Sequence, residues 1–292
     1  MAEKTKLDAN YTVKKSMGMG TIRVIAYVVL VLLSLMCLIW FYLLFINATR
    51  AHSEITARIS FVPGDNLIDN LKKLFTSTLD FPRGILNSAF VAFASSILTV
   101  YFSMMTAFAV HAYNFKGKKA VHVFILAIMM IPTQVTSLGF YRLVVDTLNL
   151  KDSFIPLIVP SIAAAGTVLF MKQYLESILS LELIEAARID GENEFMIFNR
   201  IVLPVIKPAL ATQAIFGFVA SWNNFMTPFV LLSSTEKYTL PMLVQMLRGD
   251  IYRTEYGAIY VGIAVSLIPI IIFYAFMSRY IISGLTMGSV KE

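Results

Sequence analysis

Glu185, Ala186 and Ala187, followed after three residues by Gly191 and after nine more by Ile201-Val202-Leu203-Pro204, form the most regularly spaced cluster of chemically capable residues in the chain. Glu185 offers a carboxylate for an arginine or lysine of another protein. Ala186 and Ala187 leave a low-relief surface beside it, so a partner's backbone can approach closely. With Asp190 ahead of Gly191, this describes a contact surface and no catalytic centre. A second cluster joins Trp222, Asn223, Asn224, Phe225 and Thr227 to Asn87 and Ser88. Amides and hydroxyls replace the water around a neutral, hydroxyl-rich solute, and aromatic faces cover the apolar faces of a sugar. These residues are candidate contacts for such a solute; the same side chains also suit hydrogen bonds between helices or interfacial belts.

Other chemistry lacks its residues. No G-x-x-x-x-G-K-[ST] loop is present to cradle nucleotide phosphates, and no HExxH, CxxC or nucleophile elbow occurs. The chain is expected to be non-catalytic and to hold neither metal nor cofactor. His111 and His122 flank a basic turn, Lys116 to Lys119, and suit an interfacial position. Cys37, the single cysteine, cannot form an intrachain disulfide.

The elements that position these residues follow from composition. At 58% hydrophobic and 14% charged, with mean hydropathy +0.73, the chain carries more apolar side chain than a water-soluble core holds, since soluble domains are about 25% charged. Uncharged runs that can cross a hydrocarbon layer, about 20 residues each, lie at Val24–Ile46, Gly84–Phe115, Ala120–Tyr141, Ser153–Met171, Pro208–Thr235 and Tyr256–Ser278. They predict six membrane helices in one domain, residues 1–292. None alternates as a membrane β-strand would. No Asp, Glu, Lys or Arg lies inside any run, which disfavours an ion-coupled carrier or a membrane enzyme, the two alternative classes.

Orientation comes from charge. Lysine and arginine number five in residues 1–23, three in the Lys116–Lys119 turn, four in 172–207 and two beyond Ser278, out of 24 in all. The positive-inside rule then puts both termini, the segment 1–23 and the loop 176–208 in the cytoplasm. The net charge of +6 reflects this topology and anionic lipid; nucleic acid need not be invoked. The first run reads as a retained signal anchor.

Locally, Ser180 caps a helix carrying Glu182 and Glu185 near its positive end, and Gly191 stops it. Asn193 caps a second helix with Phe195, Phe198, Ile201 and Val202 on one face, ended by Pro204. Asp65 to Phe75 predicts a short amphipathic helix, capped by Asp65 or Asn66, lying on the membrane or offering a docking surface.

The spacing around Glu185 resembles the cytoplasmic EAA motif of permease subunits of binding-protein-dependent ABC importers. The chain is most similar to the second permease of maltose- and oligosaccharide-type systems. Asn87-Ser88, Met130-Ile-Pro-Thr133, Trp222-Asn-Asn-Phe225 with Pro228, and Ser283-Gly-Leu-Thr-Met-Gly288 add to the likeness, which runs from about Asn87 to the C-terminus. One departure is Glu192, where many relatives have a small residue. The resemblance implies an all-α polytopic membrane protein with the type I importer permease fold, in a prokaryotic cell membrane. It implies a homologous second permease, two ATPase copies that bind ATP and Mg, an extracellular solute-binding protein and a carbohydrate solute. It assigns Glu185, Ala186, Ala187, Asp190, Gly191, Ile201, Leu203 and Pro204 to ATPase coupling, and places the loop Thr235–Tyr256 where relatives contact the binding protein.

Overall fold

The computed structural model describes residues 19–248 and 255–288. The basic residues of the first eighteen positions, and Asp250 and Arg253, lie outside them. In chain order the helices are α1 (Met19–Ala48), α2 (His52–Ala57), α3 (Leu67–Phe75), α4 (Phe81–Ala112), α5 (Lys118–Met129) and α6 (Thr133–Arg142), the last continued by a π-helical turn. Next come α7 (Ile155–Ile158), α8 (Ala165–Ile178), α9 (Leu181–Ile189), α10 (Glu194–Met196), α11 (Leu203–Val205), α12 (Lys207–Trp222), α13 (Met226–Leu231), α14 (Leu240–Met246) and α15 (Tyr256–Gly288). No strand occurs among the described residues.

Among the described residues, four helical stretches are long and apolar enough to cross a membrane: Ile22–Ala48, Phe81–Ala112, Ile155–Ile178 and Tyr256–Tyr280. Two bent pairs, Lys118–Met129 with Thr133–Thr147 at 96° and Glu194–Val205 with Lys207–Trp222 at 85°, raise the number to as many as six. The third apolar run is therefore broken and not straight, because Pro132 lacks an amide donor at the bend. The fifth run also ends early. α12 stops at Trp222 and the chain turns before α13, where Asn224 Oδ1 accepts from the Thr227 amide at 3.2 Å. The folded spans extend past the apolar runs. Arg142 and Asp146 end the third, and Lys172 and Glu176, an ion pair, end the fourth.

α4 is the central helix, packed against α8, α12 and the α7 region. It buries Ser88, Ser95, Ser96, Thr99 and Ser103, small side chains that allow close approach and supply hydroxyls where water is absent. The fourth span needs such donors. Pro160 has no amide to donate, and the span divides into α7, with Pro156 in its first turn, a 3-10 turn over Val159–Ala163, and α8, leaving carbonyls without helical partners. Thr99 Oγ1 donates to Ser161 O at 3.1 Å and Ser95 Oγ to Leu157 O at 3.4 Å. Ser96 Oγ donates to Ala214 O at 2.8 Å, tying α4 to α12.

The amphipathic helix expected at Asp65–Phe75 is α3, and it lies on α15 with Leu74 fully buried. Asn66 occupies its N-cap position without a side-chain cap bond. Ile68 and Phe75 stay exposed on its outer face.

Candidate coupling and solute-path sites

The island becomes two short helices meeting at Gly191. Ser180 Oγ accepts from the Leu183 amide at 3.4 Å and Asn193 Oδ1 from the Met196 amide at 2.8 Å, so both expected caps form. Gly191 has φ +84°, the left-handed turn that glycine tolerates. The second helix does not end at Pro204. After α10 the backbone widens into a π-helical turn over Ile197–Val202, where the Leu203 amide donates to Phe198 O five residues back. The wider turn accommodates a residue that has no amide to donate, and helix persists to Val205.

That turn also sorts the side chains. Ile184, Ala187, Ile197, Phe198 and Val202 are buried against Met104 and Phe108 of α4 and Met171 and Leu175 of α8. Ile201 and Leu203 pack at the edge of the same cluster. Glu185, Ala186, Asp190, Gly191 and Pro204 are exposed. Ala187, expected on the docking surface, is 6% exposed and belongs to the core, because it shares with Ile184 the inner face of α9. Phe195, expected at helical spacing with Phe198, Ile201 and Val202, does not share their burial and is 65% exposed. With Ile189, 86% exposed, it flanks the Gly191 turn with two large apolar side chains. Neither was singled out as surface from the sequence; their signal is that they immediately flank the polar Asp190–Glu194 turn.

A closed group of three side chains joins the two helices to α4. Arg188 Nε donates to Glu194 Oε1 at 2.6 Å and its Nη2 to Oε2 at 3.3 Å. Tyr113, the C-cap residue of α4, donates its hydroxyl to Glu194 Oε2 at 2.5 Å, and the Arg188 guanidinium lies 5.4 Å from its ring centroid. Burial, then the bond to Glu194, pushes the Tyr113 phenol up to about 12, so it stays a donor at neutral pH. The Arg188 fork, aided by Tyr113, holds the Glu194 carboxyl below the usual range. A notch of about 340 Å³ opens beside Glu185 along this group. Glu192 pairs with Arg200 at 3.8 Å.

The residues expected along the solute path do not converge. Asn87 Nδ2 donates to Glu236 O and Tyr238 O, both at 2.9 Å, and Ser88 Oγ accepts from the Leu240 amide at 2.8 Å, so both hold the outer loop onto α4. Trp222 is 1% exposed, stacked on Phe218, with Nε1 donating to Ser266 O at 3.1 Å. Asn223 is exposed at the turn, Asn224 accepts from an amide in the first turn of α13, and Phe225 stacks on Phe229. Of the group, Thr227 lines a cleft, about 830 Å³, between α6 and α13. Thr133, Gln134, Ser137 and Tyr141 of α6 face it with Thr227. The sequence signal for them was the polar stretch Thr133-Gln-Val-Thr-Ser137 directly after Pro132, inside an apolar run.

A bundle of apolar spans, with a helical hairpin packed against α4 and α8, defines a polytopic membrane protein. Residues 99–286 match the family described as binding-protein-dependent transport system inner membrane component, and the chain belongs to that family. It is 34% identical over 263 residues to the Arabinooligosaccharides transport system permease protein AraQ of Bacillus subtilis (strain 168), covering 89% of this chain and 92% of that one. It is 28% identical over 251 residues to the sn-glycerol-3-phosphate transport system permease protein UgpE of Escherichia coli O1:K1 / APEC, covering 84% and 89%. In fold it matches a chain of a bacterial ABC transporter involved in the import of the acidic polysaccharide alginate, with a TM-score of 0.76 at 23% identity, over 89% of this chain and 96% of that one.

Proposed function

We propose that this chain forms one half of the translocation path of a carbohydrate importer, paired with a homologous permease and served by an extracellular solute-binding protein. It docks a separate ATPase, two copies per importer, through the hairpin of α9 to α11, and leaves ATP and Mg to that partner. The observation that carries this reading is the sorting of the hairpin: an inner face buried on α4 and α8, and an outer face displaying Glu185, Ala186, Ile189 and Phe195. An apolar pair beside one carboxylate suits a protein contact. The distribution of lysine and arginine supports a cytoplasmic hairpin and cytoplasmic termini.

The solute class rests on the relatives' names and on the cleft between α6 and α13. Its lining has hydroxyls, an amide and aromatic faces, with no Lys, Arg, His, Asp or Glu. A phosphorylated polyol would call for a fixed cation to replace the water around its phosphate; a neutral sugar does not. Closure of the ATPase pair draws on the hairpin, and the buried contacts carry that movement into α4 and α8. Nucleotide and loaded binding protein must each favour the outward state differentially to shift it.

The test is copurification of an ATPase subunit with the chain, and uptake by the reconstituted complex with proton and sodium gradients collapsed. Uptake is expected to need ATP and binding protein and to survive the collapse, and the chain alone to bind no ATP. Gradient-driven uptake without ATP would restore the ion-coupled alternative.

A further inference from the structure

Resting on the importer reading above, we propose that Tyr113, Glu194 and Arg188 form a positioning strut that fixes the angle between the coupling hairpin and the second span. Force applied to α9 then turns α4 and is not dissipated by folding the hairpin at Gly191.

The need for such a strut follows from the other contacts. The apolar inner face holds the hairpin against α4 and α8 without directional bonds of its own, and the further polar tie from α4, Tyr101 Oη to Asn199 Oδ1, is long at 3.5 Å and reaches only the segment after Gly191. Gly191 adds a point of bending: it sits at φ +84°, and a Cβ built there would meet nothing within 4 Å. Arg188 and Glu194 stand on opposite sides of that turn. Their two-point contact, at 2.6 and 3.3 Å, sets orientation as well as distance, which a single point charge does not. Tyr113 ties the pair to the span by donating to the same carboxylate. Tyr113 is itself held. Its carbonyl accepts from Lys118 Nζ at 3.0 Å, and its ring packs edge-on against Phe108, 5.7 Å between centroids. Phe108 in turn lies 5.7 Å from Phe198 in the π-helical turn. Rings thus brace the strut from inside, and charges close it from outside. The Arg188 and Glu194 side chains are 34% and 45% exposed, so water screens the pair; its contribution is geometry and not stability.

The experiment uses the full chain in lipid nanodiscs, with Cys37→Ser and nitroxide labels at Lys116→Cys and Glu182→Cys, and reads the distance distribution by pulsed electron paramagnetic resonance. The parent is expected to give one narrow distance. Tyr113→Phe removes one oxygen, Glu194→Gln the charge and Arg188→Lys the fork; each is expected to broaden the distribution while the Tyr113→Phe melting temperature stays at the parent value. In the assembled importer the same variants are expected to keep hydrolysing ATP while uptake per ATP falls. Distributions as narrow as the parent's in all three variants would overturn the strut. The distance measurement needs no ATPase, so a chain that keeps one narrow distance but captures no ATPase refutes the importer reading alone.

Discussion

The side-chain amide of Asn70 stands where any side chain on Gly257 would have to stand: a Cβ built on Gly257 lies 2.4 Å from Asn70 Oδ1 and 2.5 Å from its Nδ2. The same Nδ2 donates to the carbonyls of Ala48 and Arg50, both at 2.9 Å, so one buried residue of α3 joins the end of α1 to the start of α15. Gly257→Ala is expected to destabilise the chain by about 1–3 kcal/mol through overpacking. Asn70→Leu is expected to cost a similar amount, about 1–3 kcal/mol for carbonyls left without a donor. Thermal unfolding in detergent checks both; melting temperatures equal to the parent's would show that this joint carries no stability.

Docking is expected to depend on the apolar side chains that flank Gly191. Phe195→Ala or Ile189→Asp should weaken ATPase capture by at least about tenfold, the loss typical of a buried apolar anchor at an interface. Both side chains are mainly exposed, so melting temperature and membrane insertion should stay normal. Wild-type capture by both variants would move the dock elsewhere.

Trp222 and the α6 cleft are expected to part company. Trp222→Ala should cost about 3–5 kcal/mol as a core truncation. Gln134→Ala and Tyr141→Ala should leave the melting temperature unchanged and lower ATP-driven uptake. Normal uptake in both cleft variants would remove the cleft from the path.

A clasp on the outer loops makes a pH prediction. Asp152, at φ +59°, accepts from Ser234 Oγ at 2.6 Å, from the Ser234 and Ser233 amides at 3.0 and 2.9 Å, and from Lys237 Nζ at 3.1 Å. These donors, Ser234 foremost, hold its carboxyl far below the usual carboxylate range. A depressed pKa means the clasp is fully formed above the unfolded value of about 3.9 and is lost as pH falls below it. The gap in melting temperature between the parent and Asp152→Asn should therefore be constant from about pH 8 to 5 and shrink below about pH 4. A gap that closes between pH 7 and 5 would show that another group controls it.

What the sequence determined by itself was whatever depends on neighbours along the chain. Apolar runs need only length and lack of charge to mark the membrane helices, and the ends of α9 and α10 were legible because Ser180, Gly191 and Asn193 act on amides and dihedrals within a few residues. The family, too, was legible, because the Glu185-to-Pro204 spacing is a local pattern. What the tertiary structure alone decided was which polar groups were already spoken for. Asn87, Ser88 and Trp222 look like solute ligands in a list of residues, yet their partners lie at Glu236, Tyr238, Leu240 and Ser266, between 44 and 152 positions away. Likewise the π-helical turn at Ile197–Val202 decided that Phe198 faces the core while Phe195 faces outward. The physical reason is common to these cases. Within the bilayer a hydroxyl, amide or indole must find its partner inside the protein, and that partner is set by which helices pack together, a relation that no spacing along one segment records.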